Sequence, residues 1–123
     1  MTKRILVVED TEDNRRILRD LLTCAGYALI EATDGGAGVR LARQEIPDLV
    51  LMDIQLPVMD GYEATRHIKA DPATRHIPVV AVTSYALSGD EDKALAAGCD
   101  GYVAKPFSPR KILGLVRQIL QDG

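Results

Sequence analysis

Leu49-Val50-Leu51-Met52-Asp53 decides the reading of this chain: four apolar residues in succession, closed by a carboxylate. A strand with one wet face alternates apolar and polar side chains, and this one does not. It reads as a strand buried on both faces, as in a parallel sheet covered by helices on each side. Outward in both directions the pattern recurs at Ile5–Val8, Val79–Val82 and Tyr102–Ala104. A fifth run, Ala28–Ala32, is interrupted by Glu31 and reads as an edge strand.

Helical spacing fills the intervals. Ile17, Leu18, Leu21, Leu22 and Ala25 form one stripe, with Gly26 as a stop. Val39, Leu41, Ala42 and Ile46 predict a second helix ended by Pro47. A third opens after Asp60-Gly61, carries Ile68 and closes near Asp71-Pro72. A fourth, short and weakly amphipathic, spans Asp90–Ala97 ahead of Gly98, and a fifth carries Ile112, Leu113, Val116, Ile119 and Leu120. Five β-α units in strict alternation predict an α/β fold, an open parallel sheet with helices on both faces. No linker, solenoid repeat or low-complexity tract interrupts them, so residues 1–123 are expected to form one domain.

Composition narrows the function. Fifteen basic and 18 acidic residues among 123 give a net charge of −3, without the basic face of a nucleic-acid or membrane-surface binder. Aromatics are 4% and Trp is absent, which leaves no stacking platform for single strands. Cys24 and Cys99 make no disulfide framework. The N-terminal apolar run is too short for a signal peptide, and no run approaches the roughly 20 residues of a membrane span. A cytoplasmic protein is expected.

The polar residues at the carboxyl ends of the strands form a set. Glu9 and Asp10 follow the first strand, Asp53 the third, Thr83 the fourth and Lys105 the fifth. In a parallel sheet all these ends share one edge, where ligands bind at the reversal of strand order. Three carboxylates in one cleft repel; two unit charges 4 Å apart cost about 4 kcal/mol at an effective dielectric of about 20. Either the carboxyl pKa values rise or cations enter. Lys105 is one, and a hard divalent ion is the natural second, since only oxygen donors are offered. Magnesium suits the site and zinc is disfavoured, because no His or Cys adjoins the cluster. A carboxylate beside such an ion, a lysine and a hydroxyl can accept a phosphoryl group, with Thr83 donating to one of its oxygens. Taken singly, each residue has a plainer role, and Glu9-Asp10 could simply cap a helix continued by Thr11 and Glu12. Their coincidence at four strand ends argues for a site.

Val7-Val8-Glu9-Asp10, Leu51-Met52-Asp53-Ile54-Gln55-Leu56-Pro57-Val58-Met59-Asp60-Gly61, Ala81-Val82-Thr83-Ser84 and Lys105-Pro106-Phe107 resemble the signature of bacterial response-regulator receiver domains. Gly89-Asp90-Glu91, Ala97-Gly98-Cys99 and the opening Met1-Thr2-Lys3 are similar to the DivK-like, single-domain branch of that family. The resemblance implies a flavodoxin-like (βα)5 fold, a doubly wound five-stranded parallel sheet in strand order 2-1-3-4-5. It implies that Asp53 is the phosphoacceptor and that Glu9, Asp10, Asp53 and the Gln55 carbonyl hold Mg²⁺, with Mn²⁺ a substitute. Lys105 and Thr83 would contact the phosphoryl group, Thr83 and Tyr102 would form a switch pair, and Lys105-Pro106 would be a cis peptide. The implied partners are a histidine kinase or phosphotransfer protein and a target on the face of the fourth helix, fifth strand and fifth helix. The chain would act as a switch without enzymatic turnover, as a monomer or weak dimer, with no output domain.

Other residues have plainer readings. His67 and His76 are expected on the surface, Cys24 and Cys99 as small structural residues, Gly35-Gly36 and Gly38 as a turn and helix start, and Asp90-Glu91-Asp92 as a helix N-terminus. Two alternatives remain. One is a receiver segment of a hybrid histidine kinase, against which the chain's beginning and its closing helix are weighed. The other is a haloacid-dehalogenase-like phosphatase. That chemistry wants an acid two positions after the nucleophile, where this chain has Gln55, and an acid pair after it rather than before.

Overall fold

The computed structural model describes residues 2–56, 58–83, 90–104 and 108–121. Strands and helices alternate as β1 (Arg4–Val8), α1 (Glu12–Cys24), β2 (Ala28–Ala32), α2 (Gly35–Glu45), β3 (Leu49–Asp53), α3 (Gly61–Ala70), β4 (Val79–Thr83), α4 (Asp90–Ala97), β5 (Gly101–Ala104) and α5 (Pro109–Gln121). All pairings are parallel, in the order β2-β1-β3-β4-β5. This is the doubly wound architecture that the apolar runs and the resemblance predict.

Two cores lie on the two sheet faces. Ile5, Val7, Leu49, Leu51, Val80 and Val103 pack with Leu18 and Leu22 of α1 and Ile112 and Val116 of α5. Their chain neighbours Leu6, Val8, Val50, Met52, Val79 and Ala81 point the other way, to Ala42 of α2, Ala64 and Ile68 of α3 and Ala94 of α4. That alternation explains the unbroken apolar runs, since both sets are buried. Each fully buried Leu or Ile contributes about 1.5–3 kcal/mol.

The helix ends follow local chemistry. Asp34 and Asp60 cap α2 and α3, accepting from the N–H groups of Ala37 at 2.8 Å and Glu63 at 2.9 Å. Gly26 (φ 97°) and Gly98 (φ 104°) turn the chain out of α1 and α4 in left-handed geometry, as their place in the sequence suggests. Gly35, Gly36 and Gly38 form the first turns of α2. One boundary differs from expectation. Ile46, read as part of the α2 stripe, lies outside the helix at φ 45°, a costly conformation for a β-branched residue. Pro47 follows it and disfavours a right-handed helical conformation there.

Aspartates tie down the amino ends of β1 and β4. The Arg4 N–H donates to Asp48 Oδ2 at 2.8 Å while the Asp48 N–H donates to the Arg4 carbonyl at 2.8 Å. The same exchange recurs across the sheet. Val79 N–H donates to Asp100 Oδ2 at 2.9 Å, and Asp100 N–H to the Val79 carbonyl at 2.7 Å. Lys69 completes this second clamp from α3, its Nζ lying 2.9 Å from Asp100 Oδ2, 2.7 Å from the Ile77 carbonyl and 3.2 Å from that of Arg75.

The segment around Lys69 holds a short duplication. Ala64-Thr65-Arg66-His67-Ile68 recurs as Ala73-Thr74-Arg75-His76-Ile77, first inside α3 and then in the turns that follow it. Both copies bury Thr and Ile and expose Arg and His, so the two histidines lie on the surface as expected. Of the cysteines, Cys24 is exposed at the end of α1 and Cys99 is buried beside Thr65 Oγ1, at 3.8 Å.

Candidate functional site

The loops leaving β1 and β3 form the site. After Asp53 the ladder runs one step further, Ile54 N–H donating to the Val82 carbonyl at 3.0 Å. The chain then folds back, and Gly61 N–H donates to the Ile54 carbonyl at 2.9 Å. α3 therefore starts against the backbone of the residue it follows. A Cβ on Gly61 would collide with the Asp53 carbonyl, so glycine is required for this approach.

Asp53 and Thr83 are the last residues of β3 and β4, where the sequence reading had them one step past their strands. Hydrogen-bonded pairing extends to Asp53↔Val82 and Thr83↔Ala104, which carries both into the ladder. Both are buried, Asp53 at 3% and Thr83 at 2% relative exposure, and Glu9 is buried with them at 2%. Asp10 is exposed. One carboxylate oxygen from each of Glu9, Asp10 and Asp53 lies within 4.8 Å of the other two. These three residues, 44 positions apart in sequence from the first to the last, are brought together by the pairing of β1 with β3.

The loops are shaped by these carboxylates. Asp53 Oδ1 accepts from the Gln55 N–H at 3.1 Å, which fixes the turn after β3. Glu9 Oε1 accepts from Thr11 N–H at 3.2 Å and from Asn14 Nδ2 at 3.5 Å. The simple capping reading of Glu9-Asp10 does not hold. Thr11 is the N-cap residue of α1, and its side chain makes no cap hydrogen bond.

Arg15 is the residue that sequence reasoning missed. Its Nη1 donates to the Glu9 carbonyl at 2.9 Å, and its guanidinium also meets Glu12 and, at 3.5 Å, Glu31. A mostly buried cation thus stands behind the acidic pair. The available signal was the spacing of Glu12, Arg15 and Arg19 along one face of α1. Arg19 forks onto Glu31 at 2.7 and 2.8 Å, and that hydrogen-bonded pair, despite some burial, holds the Glu31 carboxyl below its ordinary range.

Tyr102 is half-buried and packs against the core beneath α2–α4. It lies opposite Ala81, so it occupies the same sheet face as Thr83, one step back on the adjoining strand. Lys105 and Pro106 lie outside the described residues, so the phosphoryl contact and the cis peptide expected there do too. β5 ends at Ala104, immediately before Lys105.

The donor set fits magnesium: clustered oxygen ligands, two from buried carboxylates, with no His or Cys in the group. A sequence pattern described as "Response regulator receiver domain" matches residues 5–117. The chain belongs to the receiver-domain family of two-component response regulators. Within that family it is 43% identical, over 99% of both chains, to the polar-differentiation response regulator DivK of Brucella ovis, and equally to that of Brucella abortus. Among solved structures, the receiver domain of a Pseudomonas aeruginosa sensor histidine kinase superposes with a TM-score of 0.91 at 37% identity, covering 98% of this chain and 99% of that one. That receiver carries a magnesium ion coordinated in its active-site cleft. A Vibrio cholerae chemotaxis response regulator of the CheY type also reaches 0.91, at 25% identity, over 98% of this chain and 100% of its own. Receiver domains bind Mg²⁺ at their acidic site and act in general as switches rather than as enzymes with turnover. No helix among the described residues of this receiver is long and apolar enough to cross a membrane.

Proposed function

We propose that this chain is a stand-alone phosphorylatable switch with Asp53 as its acceptor. The observation that carries the reading is the clustering of the Glu9, Asp10 and Asp53 carboxylates within 4.8 Å, with Asp53 buried at the end of central strand β3. Glu9, Asp10, Asp53 and the Gln55 carbonyl would hold Mg²⁺, or Mn²⁺ in its place. When bound, the ion would offset part of the charge of the three carboxylates and of a transferring phosphoryl group.

The Asp53 carboxylate attacks the phosphorus of a phosphohistidine on a histidine kinase or phosphotransfer protein. A P–O bond forms, the donor's P–N bond breaks, and the imidazole nitrogen leaves with the electron pair. Lys105 and the Thr83 hydroxyl take the phosphoryl oxygens. Thr83 moves toward them, and Tyr102, one step back on the same face, turns inward to follow. The fourth helix, fifth strand and fifth helix then present an altered face to a target protein. Leu95 of α4, 57% exposed, supplies apolar surface on one of these elements.

Coextension with the DivK relatives over 99% of their length supports the single-domain reading of residues 1–123. We place the protein in the cytoplasm as a monomer or weak dimer, without nucleic-acid or membrane contacts.

The test is intact-mass spectrometry after incubation with phosphoramidate. The parent is expected to gain one phosphoryl group when Mg²⁺ is present and to lose it with hydroxylamine. Excess chelator and Asp53→Asn should each prevent the gain. Full labelling of Asp53→Asn would overturn the assignment.

A further inference from the structure

A trough runs between α3 and α4. It has a volume of about 260 Å³ and, among the described residues, is lined by Tyr62 and Arg66 of α3 and Lys93, Ala96 and Ala97 of α4. Tyr62 and Arg66 are four apart and share one face of α3. Lys93 with Ala96 and Ala97 does the same on α4. Each wall thus contributes one cation, and α4 adds two methyl-sized side chains that keep the trough open.

Among the described residues neither cation meets a carboxylate in an ion pair. Arg66 and Lys93 are both exposed, and neither forms an ion pair or hydrogen bond among the described residues. No described carboxylate lines the trough. Asp60 and Glu63 of α3 line a neighbouring hollow with His67, and Arg66 borders that hollow as well as the trough. On α4, Asp92 precedes Lys93 and is exposed, outside the lining. Among the described residues the trough itself is thus lined by two cations and no carboxylate, on a chain of net charge −3.

We infer that the α3–α4 trough docks an acidic segment of a partner protein, with a carboxylate bridging Arg66 and Lys93 and an apolar side chain lying on Ala96, Ala97 and the Tyr62 ring. Charge complementarity selects the anion, and the guanidinium fork suits a carboxylate. Pockets for free small molecules enclose most of the ligand, whereas this trough is open to solvent. A side chain carried on a peptide fits it.

A fluorescein-labelled peptide of alternating glutamate and leucine is the probe, with a glutamine–leucine peptide beside it, read by anisotropy and by amide chemical shifts. The glutamate peptide is expected to shift Tyr62, Arg66, Lys93 and Ala96, and the glutamine peptide to bind at least tenfold more weakly. The double variant Arg66→Glu, Lys93→Glu should lose binding at least tenfold. The duplicated pentapeptide supplies the control. Arg75→Glu makes the same reversal at the second copy, outside the trough, and should leave binding within twofold. Equal losses in Arg75→Glu and the double variant, or shifts confined to other elements, would overturn the inference, as would equal binding of the two peptides.

Discussion

Aspartates stand at both ends of this sheet and do opposite things. At the amino ends, Asp48 and Asp100 each precede a strand and clamp the first residue of its neighbour, through one backbone and one side-chain hydrogen bond. Lys69 adds a cation to the second clamp. At the carboxyl ends, Glu9, Asp10 and Asp53 point their carboxylates at one another. The first arrangement satisfies N–H groups that a parallel strand would leave bare at its start. The second concentrates negative charge that a cation or a proton must relieve. The same side chain thus stabilises the fold at one end and holds a costly, chemically useful arrangement at the other. The difference lies in what surrounds it.

Variants at the two ends should move stability in opposite directions. Lys69→Met keeps the aliphatic stem but leaves the Ile77 carbonyl and the Asp100 carboxylate without their ammonium. A loss of about 2–3 kcal/mol is expected, read from urea unfolding. A change within experimental error would mean that the clamp is dispensable. Asp53→Asn removes one of the crowded charges, and in metal-free buffer it should raise stability by about 1 kcal/mol, or a melting point higher by about 4 °C. A lower melting point would refute the contrast.

Glu31 gives the smallest effect and the sharpest control. It sits toward the carboxyl end of β2, opposite Val7, but has Arg19 as its own cation. Its carboxyl titrates below the ordinary 4.5, held down first by the Arg19 hydrogen bond. A lowered folded value means that the ionised form is the stabilising one. The contribution is therefore present above pH 4.5 and fades as pH falls through the folded value. Stability profiles of the parent and Glu31→Gln should differ above that pH and converge below it. Parallel profiles across the whole acid range would show that the pair contributes nothing.

The central fold was legible because strands buried on both faces leave unbroken runs such as Leu49-Val50-Leu51-Met52, and because Glu31 marks the edge. The site was legible for a related reason. Polar residues that close such runs must share an edge, so Glu9, Asp53 and Thr83 could be placed together without knowing any contact. Asp48 and Asp100 were not legible. A lone Asp before a strand looks like any turn residue, and its clamp exists only once the register with Arg4 or Val79 is set. Arg15 escaped for the same reason, since its acceptor is a main-chain carbonyl of another element. Ile46 misled because an apolar residue at helical spacing looks helical until the following proline is weighed against it.

Cys24 and Cys99 share a chain but not a reactivity. Burial, the larger influence, pushes the Cys99 thiol above its ordinary range, though Thr65 draws it partly back. Only the thiolate attacks an alkylating reagent, and only an accessible one meets it. Cys24 is exposed at the end of α1, remote in the fold from the carboxyl ends of the strands. A maleimide dye or spin label will therefore attach at a single known position on the native sequence, with no cysteine to remove first, and report distances from there while the opposite end of the molecule changes.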